Sequence, residues 1–543
     1  MFIADHRANY AAYHSIFAFF TRSGLCLSLP RLRGHPDMTV IDVSRKSTAA
    51  PVDRAPVAKT LCDCLRRHAK QKPDQAALYC GDAVLSWRTL DETSTHLARW
   101  FLDRGLQPGD RVAVCSLNSI ELVQVYFGIF KAGLIAVTIN TRLKPDEVRY
   151  ILGHAQPRMA FCEPLLAPVL EQAGAEFPVF SSLPDLASMT TALPAAGPDD
   201  QALIIYTSGT TARPKGVVHT AGSLFHKGVK GAGISRHLGD QIRLCILPMM
   251  HVSGLWFLAM ALYEGSPMVL LPKFEPAAAL DAIEKFGCTT AGGLPTMILS
   301  LVEEQARMPR QVATLRSVIA GGDVVSPTLQ DRFLELFGTE LLEIYAMTEV
   351  CAMSANIPGA CRQGSMGVAL EGVDVRIVDL DGRDAAQGET GEILVRSAAR
   401  CVGYWNDPQA TRAAMGGGWL HTGDLGARDG DGFIWFKGRK KEVIIRAGSN
   451  ISPQEVEEAL YKHPAVLEAG VVGVPDPVTI ERVAAFVVLR EGHAADANDL
   501  CAFTRRHIAD YKAPEEIHFL KELPKNAVGK VQRRALKEML PAR

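Results

Sequence analysis

Short continuous apolar runs alternate with amphipathic stretches along most of this chain. Arg111-Val-Ala-Val-Cys115, Leu134-Ile-Ala-Val-Thr138, Ala202-Leu-Ile-Ile205 and Met268-Val-Leu-Leu271 are largely apolar without interruption. That is the pattern of strands covered on both faces. Between two of them, Pro145-Asp-Glu-Val-Arg-Tyr-Ile-Leu152 opens with proline and acids, then spaces its apolar residues as a helix does. Strand–helix alternation predicts α/β layers. Residues 371–436 change character. They are rich in Val, Ile, Gly and Asp, with turn signals at Asp381-Gly382 and Asp431-Gly432, and predict short antiparallel strands. After Lys441 a last unit of about a hundred residues has strands of its own at Ala469–Val474 and Val483–Leu489. Leu193–Asp199, rich in Pro, Ala and Gly, reads as a loop.

Composition narrows the class only a little. The 543 residues are 48% apolar, enough for several large cores. A net charge of −1 leaves no electrostatic footprint for nucleic acid or an anionic membrane. The 12 cysteines form no disulfide framework, and Cys62-Asp-Cys64 lacks a second pair at metal spacing, so it reads as structural. Reduced thiols point to a cytoplasmic setting. Leu255–Leu271, the most apolar long stretch, is broken by Glu264-Gly-Ser-Pro267, so no integral membrane segment is expected. Residues 1–37 read as an over-extended start or a disordered tail, with Met38 beginning a sequence that runs smoothly into the first domain.

The candidate chemistry begins after the third apolar run. Tyr206-Thr-Ser-Gly-Thr-Thr-Ala-Arg-Pro-Lys-Gly-Val217 crowds hydroxyls and glycines around a lysine. Hydroxyls, open backbone N–H groups and one cation suit a polyphosphate. It is not the Walker loop, because Gly216 and not Ser or Thr follows the lysine. Further segments follow in order: Leu247-Pro-Met-Met-His-Val-Ser-Gly254, Ala320-Gly-Gly-Asp323, Glu343-Ile-Tyr-Ala-Met-Thr-Glu349, Gly388-Glu-Thr-Gly-Glu-Ile393, Trp419-Leu-His-Thr-Gly-Asp424, Gly438-Arg-Lys-Lys-Glu442, Gly448-Ser-Asn-Ile451 and Pro524-Lys-Asn-Ala-Val-Gly-Lys530.

From about residue 55 onward this ordered set resembles the adenylate-forming (AMP-binding) superfamily, in its acyl-CoA synthetase and aryl-CoA ligase branch. The resemblance implies a large multilayer α/β N-terminal domain with a small β-rich subdomain, residues 38–438. It also implies a small mobile α+β C-terminal domain, residues 439–543. Family members join a carboxylate to the α-phosphate of ATP, release pyrophosphate, and pass the acyl group to the thiol of CoA. The implied cofactors are ATP, Mg2+ and CoA. The implied partners are a small carboxylic acid and CoA, with no nucleic acid; a homodimer is left open, since oligomeric state cannot be read from the sequence.

The resemblance also distributes roles. Thr207, Ser208, Gly209, Thr210, Thr211 and Lys215 would hold the β- and γ-phosphates. Glu349 would ligate magnesium and Thr348 would bond the α-phosphate. Tyr345 would stack on adenine, with Gly322, Asp323 and Glu343 at its rim. Asp424 would accept the ribose hydroxyls, and Arg439 would donate from the other side. Lys530 would bridge substrate carboxylate and α-phosphate. His251 would gate the passage between acyl and CoA tunnels. Val252, Trp256, Gly321 and Ala346 would line the acyl pocket, with Gly321 and Gly322 leaving room at its floor. Ala447 and Gly448 would line the CoA tunnel, and Lys441 would be the hinge about which the small domain turns between half-reactions.

Two positions depart from the family pattern. Ala346 replaces a common glycine, which narrows the acyl pocket, and Asp323 stands where Ala or Glu is common. Met249–Met260 contains no acid to pair with an ammonium, so an apolar acid is expected: a medium- or long-chain fatty acid, or an aryl acid. Loading of a carrier protein in place of CoA stays open. A non-catalytic homologue is disfavoured by the presence of Lys215, Glu349 and Lys530.

Overall fold

The computed structural model describes residues 58–543 except 186–189, 208–213, 236–238, 324, 380, 448, 477, 527–530 and 541–543. The expectation for residues 1–37 lies outside the described residues. Two sheets form the bulk. In the larger, Leu341–Met347, Ser317–Gly321, Thr290–Gly293, Arg243–Cys245, Met268–Leu270 and Ala76–Cys80 run parallel. Antiparallel strands close it: Cys351–Ala355 and Val368–Ala369 at one edge, Ala83–Ser86 at the other. The second sheet is ordered Gly403–Tyr404, Lys215–Thr220, Gln201–Thr207, Ile135–Thr138, Arg111–Cys115, Met159–Cys162 and Val179–Phe180. Three of the apolar runs, at 111–115, 134–138 and 202–205, are its buried interior, and the fourth, Met268–Leu270, lies inside the larger sheet, as their lack of alternation requires.

Helices fill the space between the sheets. Ile120–Lys131 is buried except at Glu121, and its first turn is closed by the Ser119 hydroxyl, which accepts from the Leu122 N–H at 3.0 Å. Val252–Glu264 is almost as fully buried and stops where Gly265 takes φ 74°. Both join one core with Leu78, Val112, Leu203 and Ile319 from the two sheets. No helix among the described residues is long and apolar enough to cross a membrane. The described cysteines are free thiols.

Residues 371–436 do form antiparallel strands: Val373–Val378, Gly391–Ser397, Leu420–Arg428 and Ile434–Arg439 make one four-stranded sheet. The C-terminal sheet contains Ile444–Arg446, Ser449–Ile451, Val466–Asp476, Ile480–Leu489 and Glu516–Phe519. The boundary expected at residue 438/439 falls at the end of the strand Ile434–Arg439.

Candidate active site

The phosphate-side segment is a hairpin. Gln201–Thr207 pairs in parallel with Ile135–Thr138 on one side and antiparallel with Lys215–Thr220 on the other. Lys215 thus begins a strand, directly opposite Thr207, at the mouth of the loop. Ser208, Gly209, Thr210 and Thr211 lie outside the described residues. Gly216 has no room for a side chain, since a Cβ there would come within 2.9 Å of Ile204 Cγ2 and 3.2 Å of Trp405 Cβ. The segment 402–405 is laced onto this hairpin. Val402 N–H donates to Val218 O at 2.9 Å, Trp405 N–H to Gly216 O at 2.7 Å, and Tyr404 pairs with Val217.

Thr348 and Glu349 occupy the turn joining Leu341–Met347 to Cys351–Ala355, at the carboxyl end of a parallel strand, where α/β sheets commonly bind ligands. Cys351 closes the turn at φ 75°. Glu349 is held at two points. Its carbonyl accepts from Cys401 N–H at 2.6 Å, and its Oε1 accepts from the Tyr404 hydroxyl at 2.9 Å. Burial raises its pKa, opposed by the Tyr404 bond. Beneath the turn Lys227, fully buried, donates to the carbonyls of Val350 (3.3 Å) and Ala399. Burial lowers its pKa to about 8, opposed by the Cys351, Cys401 and Glu349 side chains.

No group of three or more metal-ligating side chains occurs among the described residues. Glu349 offers one carboxylate whose second oxygen takes no hydrogen bond from another described side chain. A single protein carboxylate fits Mg2+, which keeps waters and takes its other ligands from phosphates.

Asp424 and Arg439 face each other across adjacent strands, with Asp424 Oδ1 3.2 Å from Arg439 Nε. The Tyr345 hydroxyl donates to Asp424 Oδ2 at 2.6 Å. The two donors keep this buried carboxylate oriented. Glu343, two residues before Tyr345, is buried below the expected adenine rim and accepts from the Gln330 amide at 3.2 Å. Burial raises its pKa to about 8, and the Glu458 charge adds to the rise. Asp323 is exposed and acts electrostatically on Arg533, Glu457 and Tyr461 of the C-terminal unit.

On the acid side, His251 precedes the helix Val252–Glu264, with its Nδ1 3.1 Å from Ser253 Oγ. Asn118 fixes the preceding backbone. Its amide donates to Leu247 O at 3.0 Å, and its Oδ1 accepts from Met249 N–H at 2.8 Å. Tyr126 Oη donates to Met249 O at 2.8 Å. Val252 is buried, and Ala346 is half-buried opposite Ala352 at a bulge. Trp256 wedges between helices: its Nε1 donates to Lys227 O at 3.1 Å, beside Gly231. One expectation needs correction. Gly321 and Gly322 do not leave open room. A Cβ at Gly321 would lie 2.6 Å from Ile344 Cγ1, and one at Gly322 2.9 Å from Leu294 Cδ2. The missing methyls admit neighbouring side chains.

Lys441 is exposed in the turn after Arg439. Ala447 takes φ 46° and donates its N–H to Thr479 O at 2.7 Å. Gly448 and Lys530 lie outside the described residues. Arg533 makes paired bonds to Glu457, both at 2.8 Å, and lies 3.0 Å from Glu442.

The AMP-binding enzyme family matches residues 65–405, and its C-terminal domain matches residues 455–530. The chain belongs to the AMP-binding enzymes. A sulfoacetate–CoA ligase of Cupriavidus necator is 36% identical, covering 88% of this chain and 97% of the relative. A fatty acid–[acyl-carrier-protein] ligase, ScoC, of Streptomyces coeruleorubidus is 33% identical over 89% and 97%. A long-chain-fatty-acid–CoA ligase of Bacillus subtilis is 34% identical over 88% and 94%. Among solved structures, the anthranilate CoA ligase AuaEII with anthranoyl-AMP superposes with TM-score 0.82 at 27% identity, covering 89% of this chain and 98% of that one. Bacillus subtilis MenE with ATP and magnesium gives 0.78 at 29% identity over 87% and 99%. This AMP-binding enzyme is an acid–thiol ligase of the CoA-ligase branch. Sequence reasoning missed Tyr404, Lys227 and Asn118 in it. Only the aromatic pair Tyr404-Trp405 after a glycine gave any local signal.

Proposed function

We propose that this AMP-binding enzyme activates an apolar carboxylic acid of about six carbons or more as its acyl-adenylate and transfers the acyl group to CoA. A carboxylate oxygen attacks the α-phosphorus of ATP as the bond to pyrophosphate breaks. The CoA sulfur then attacks the acyl carbon, the bond to AMP breaks, and the thiol proton passes to solvent. Splitting the reaction supplies a leaving group that a free carboxylate lacks.

Lys215 and Thr207 receive the terminal phosphates, Thr348 the α-phosphate, and Asp424 with Arg439 the ribose. Tyr345 flanks adenine, and Lys530 offsets the repulsion between carboxylate and phosphate. Glu349 would hold magnesium, which would neutralise phosphate charge. Lys441 is the hinge at which the unit 439–543 turns between half-reactions.

The carrying observation is the Asp424–Tyr345–Arg439 cluster, with Glu349 close enough to interact electrostatically with Asp424 and Arg439. The preference for an apolar acid rests on the segment Met249–Met260, which is largely buried and contains no acidic residue. Each buried methylene contributes about 0.8 kcal/mol. A fatty acid is the first choice and an aryl acid the second, the latter favoured by the likeness to the anthranilate ligase. The test is a panel of acids scored by AMP release with and without CoA. Hexanoate or longer, or an aryl acid, is expected to give the highest kcat/KM. Acetate, sulfoacetate or an amino acid as best substrate overturns the choice of acid. Turnover with a holo-carrier protein but not with CoA favours the loading reading, for which the ScoC likeness speaks.

A further inference from the structure

Lys215 and Glu349 sit on different sheets, yet one side chain touches both. The Tyr404 hydroxyl donates to Glu349 Oε1 at 2.9 Å, and Lys215 Nζ lies 5.1 Å from the centre of the Tyr404 ring. The backbone of Tyr404 is fixed independently of either group. It pairs with Val217 in the hairpin that carries Lys215, and its N–H donates to Thr411 Oγ1 at 2.9 Å. One residue later, Trp405 N–H reaches Gly216 O. On the other side, Cys401 N–H holds the Glu349 carbonyl. The segment 401–405 is thus a strap between the lysine and the carboxylate, and Tyr404 is the part of it that reaches their functional ends.

We propose that Tyr404 is a positioning residue that sets the spacing between the phosphate-binding Lys215 and the metal-binding carboxylate of Glu349. This rests on the adenylate-forming reading above. The hydroxyl occupies Oε1 and restrains the carboxylate, so that Oε2 is the oxygen that would take a cation. The ring attracts the ammonium through its π face and limits where Nζ can lie. The sharing makes ATP and Mg2+ binding cooperative, because each phosphate contact presents the next at the right distance.

The test compares Tyr404→Phe with wild type by calorimetric titration of ATP, first in EDTA and then across a Mg2+ series. Tyr404→Phe keeps the ring over Lys215 and removes only the hydroxyl. Metal-free ATP affinity is expected to stay within twofold, while the Mg2+ concentration for half-maximal enhancement rises about tenfold, the scale of one hydrogen bond to a charged group. Tyr404→Leu removes the ring as well and is expected to weaken metal-free ATP binding about fivefold or more. Equal Mg2+ dependence in Tyr404→Phe and wild type overturns the proposal. So does an equal loss of metal-free and Mg2+-dependent binding in Tyr404→Phe, which marks a purely structural tyrosine. If wild type itself shows no Mg2+-enhanced ATP binding, the nucleotide reading fails, and this inference with it.

Discussion

Replacing Asp424 with asparagine puts the ribose assignment at risk with almost no change of shape. The carboxylate accepts from the Tyr345 hydroxyl at 2.6 Å and lies 3.2 Å from Arg439 Nε. Asparagine offers one oxygen and one NH2 in their place. Tyr345 is 7% exposed, so its hydroxyl cannot turn to water and keeps the oxygen. The NH2 then faces Arg439, which is 45% exposed and can swing into solvent. Little acceptor capacity remains for two ribose hydroxyls. One charge-assisted hydrogen bond is lost outright and the other loses its charge, together about 2–4 kcal/mol. That corresponds to a rise in ATP KM of about 30- to 700-fold. The assay is acid-dependent ATP–pyrophosphate exchange, with thermal unfolding as a check that the fold persists. A KM within threefold of wild type in a folded variant would refute the assignment.

Burial lowers the folded pKa of Lys227 to about 8, so the unfolded chain holds more protons between pH 8 and the ordinary lysine value, and wild-type stability rises with pH there. Lys227→Met lacks that rise. The stability gap between wild type and variant, read by urea unfolding, should move about 2 kcal/mol in favour of wild type from pH 7 to 9.5; an unchanged gap contradicts this. For Glu343 the sign reverses. The folded chain keeps the extra proton between the ordinary carboxylate value and about 8, so stability falls as pH rises through that window. Glu343→Gln should raise the unfolding midpoint more at pH 7.5 than at pH 5, and the opposite order would be wrong for a buried acid. Lys530→Ala should abolish pyrophosphate exchange but spare thioester formation from synthetic acyl-adenylate. Lys441→Pro should do the reverse, since proline fixes φ; equal loss of both activities in both folded variants counts against a turning C-terminal unit. Ala346→Gly should widen the acid profile toward bulkier acids without raising ATP KM, and a raised ATP KM with an unchanged profile moves Ala346 to the nucleotide side.

What could be read from the chain was what is local in it. The uninterrupted apolar runs, the hydroxyl-rich segment before Lys215 and the turn around Glu349 each carry their signal within a few residues. The contacts that hold the site together join residues far apart in sequence. Lys227 reads as surface charge on its helix, yet it lies buried on the carbonyls of Val350 and Ala399. Tyr404 meets Glu349 across 55 residues and Asn118 meets Leu247 across 129. The helix Val252–Glu264 is buried on nearly every side, so periodicity could not say which way Trp256 faces. Gly321 makes the related point: a missing side chain made room for Ile344, not for a ligand.

Acyl-adenylate formation is tested most directly by turnover of a preferred acid labelled with 18O in its carboxylate, in the presence of ATP, Mg2+ and CoA. Attack of the carboxylate on the α-phosphorus leaves one labelled oxygen on AMP when the thioester forms. Mass spectrometry is therefore expected to find one 18O in AMP for each acyl-CoA produced and none in pyrophosphate. Label in inorganic phosphate, or thioester accompanied by unlabelled AMP, would contradict the mechanism.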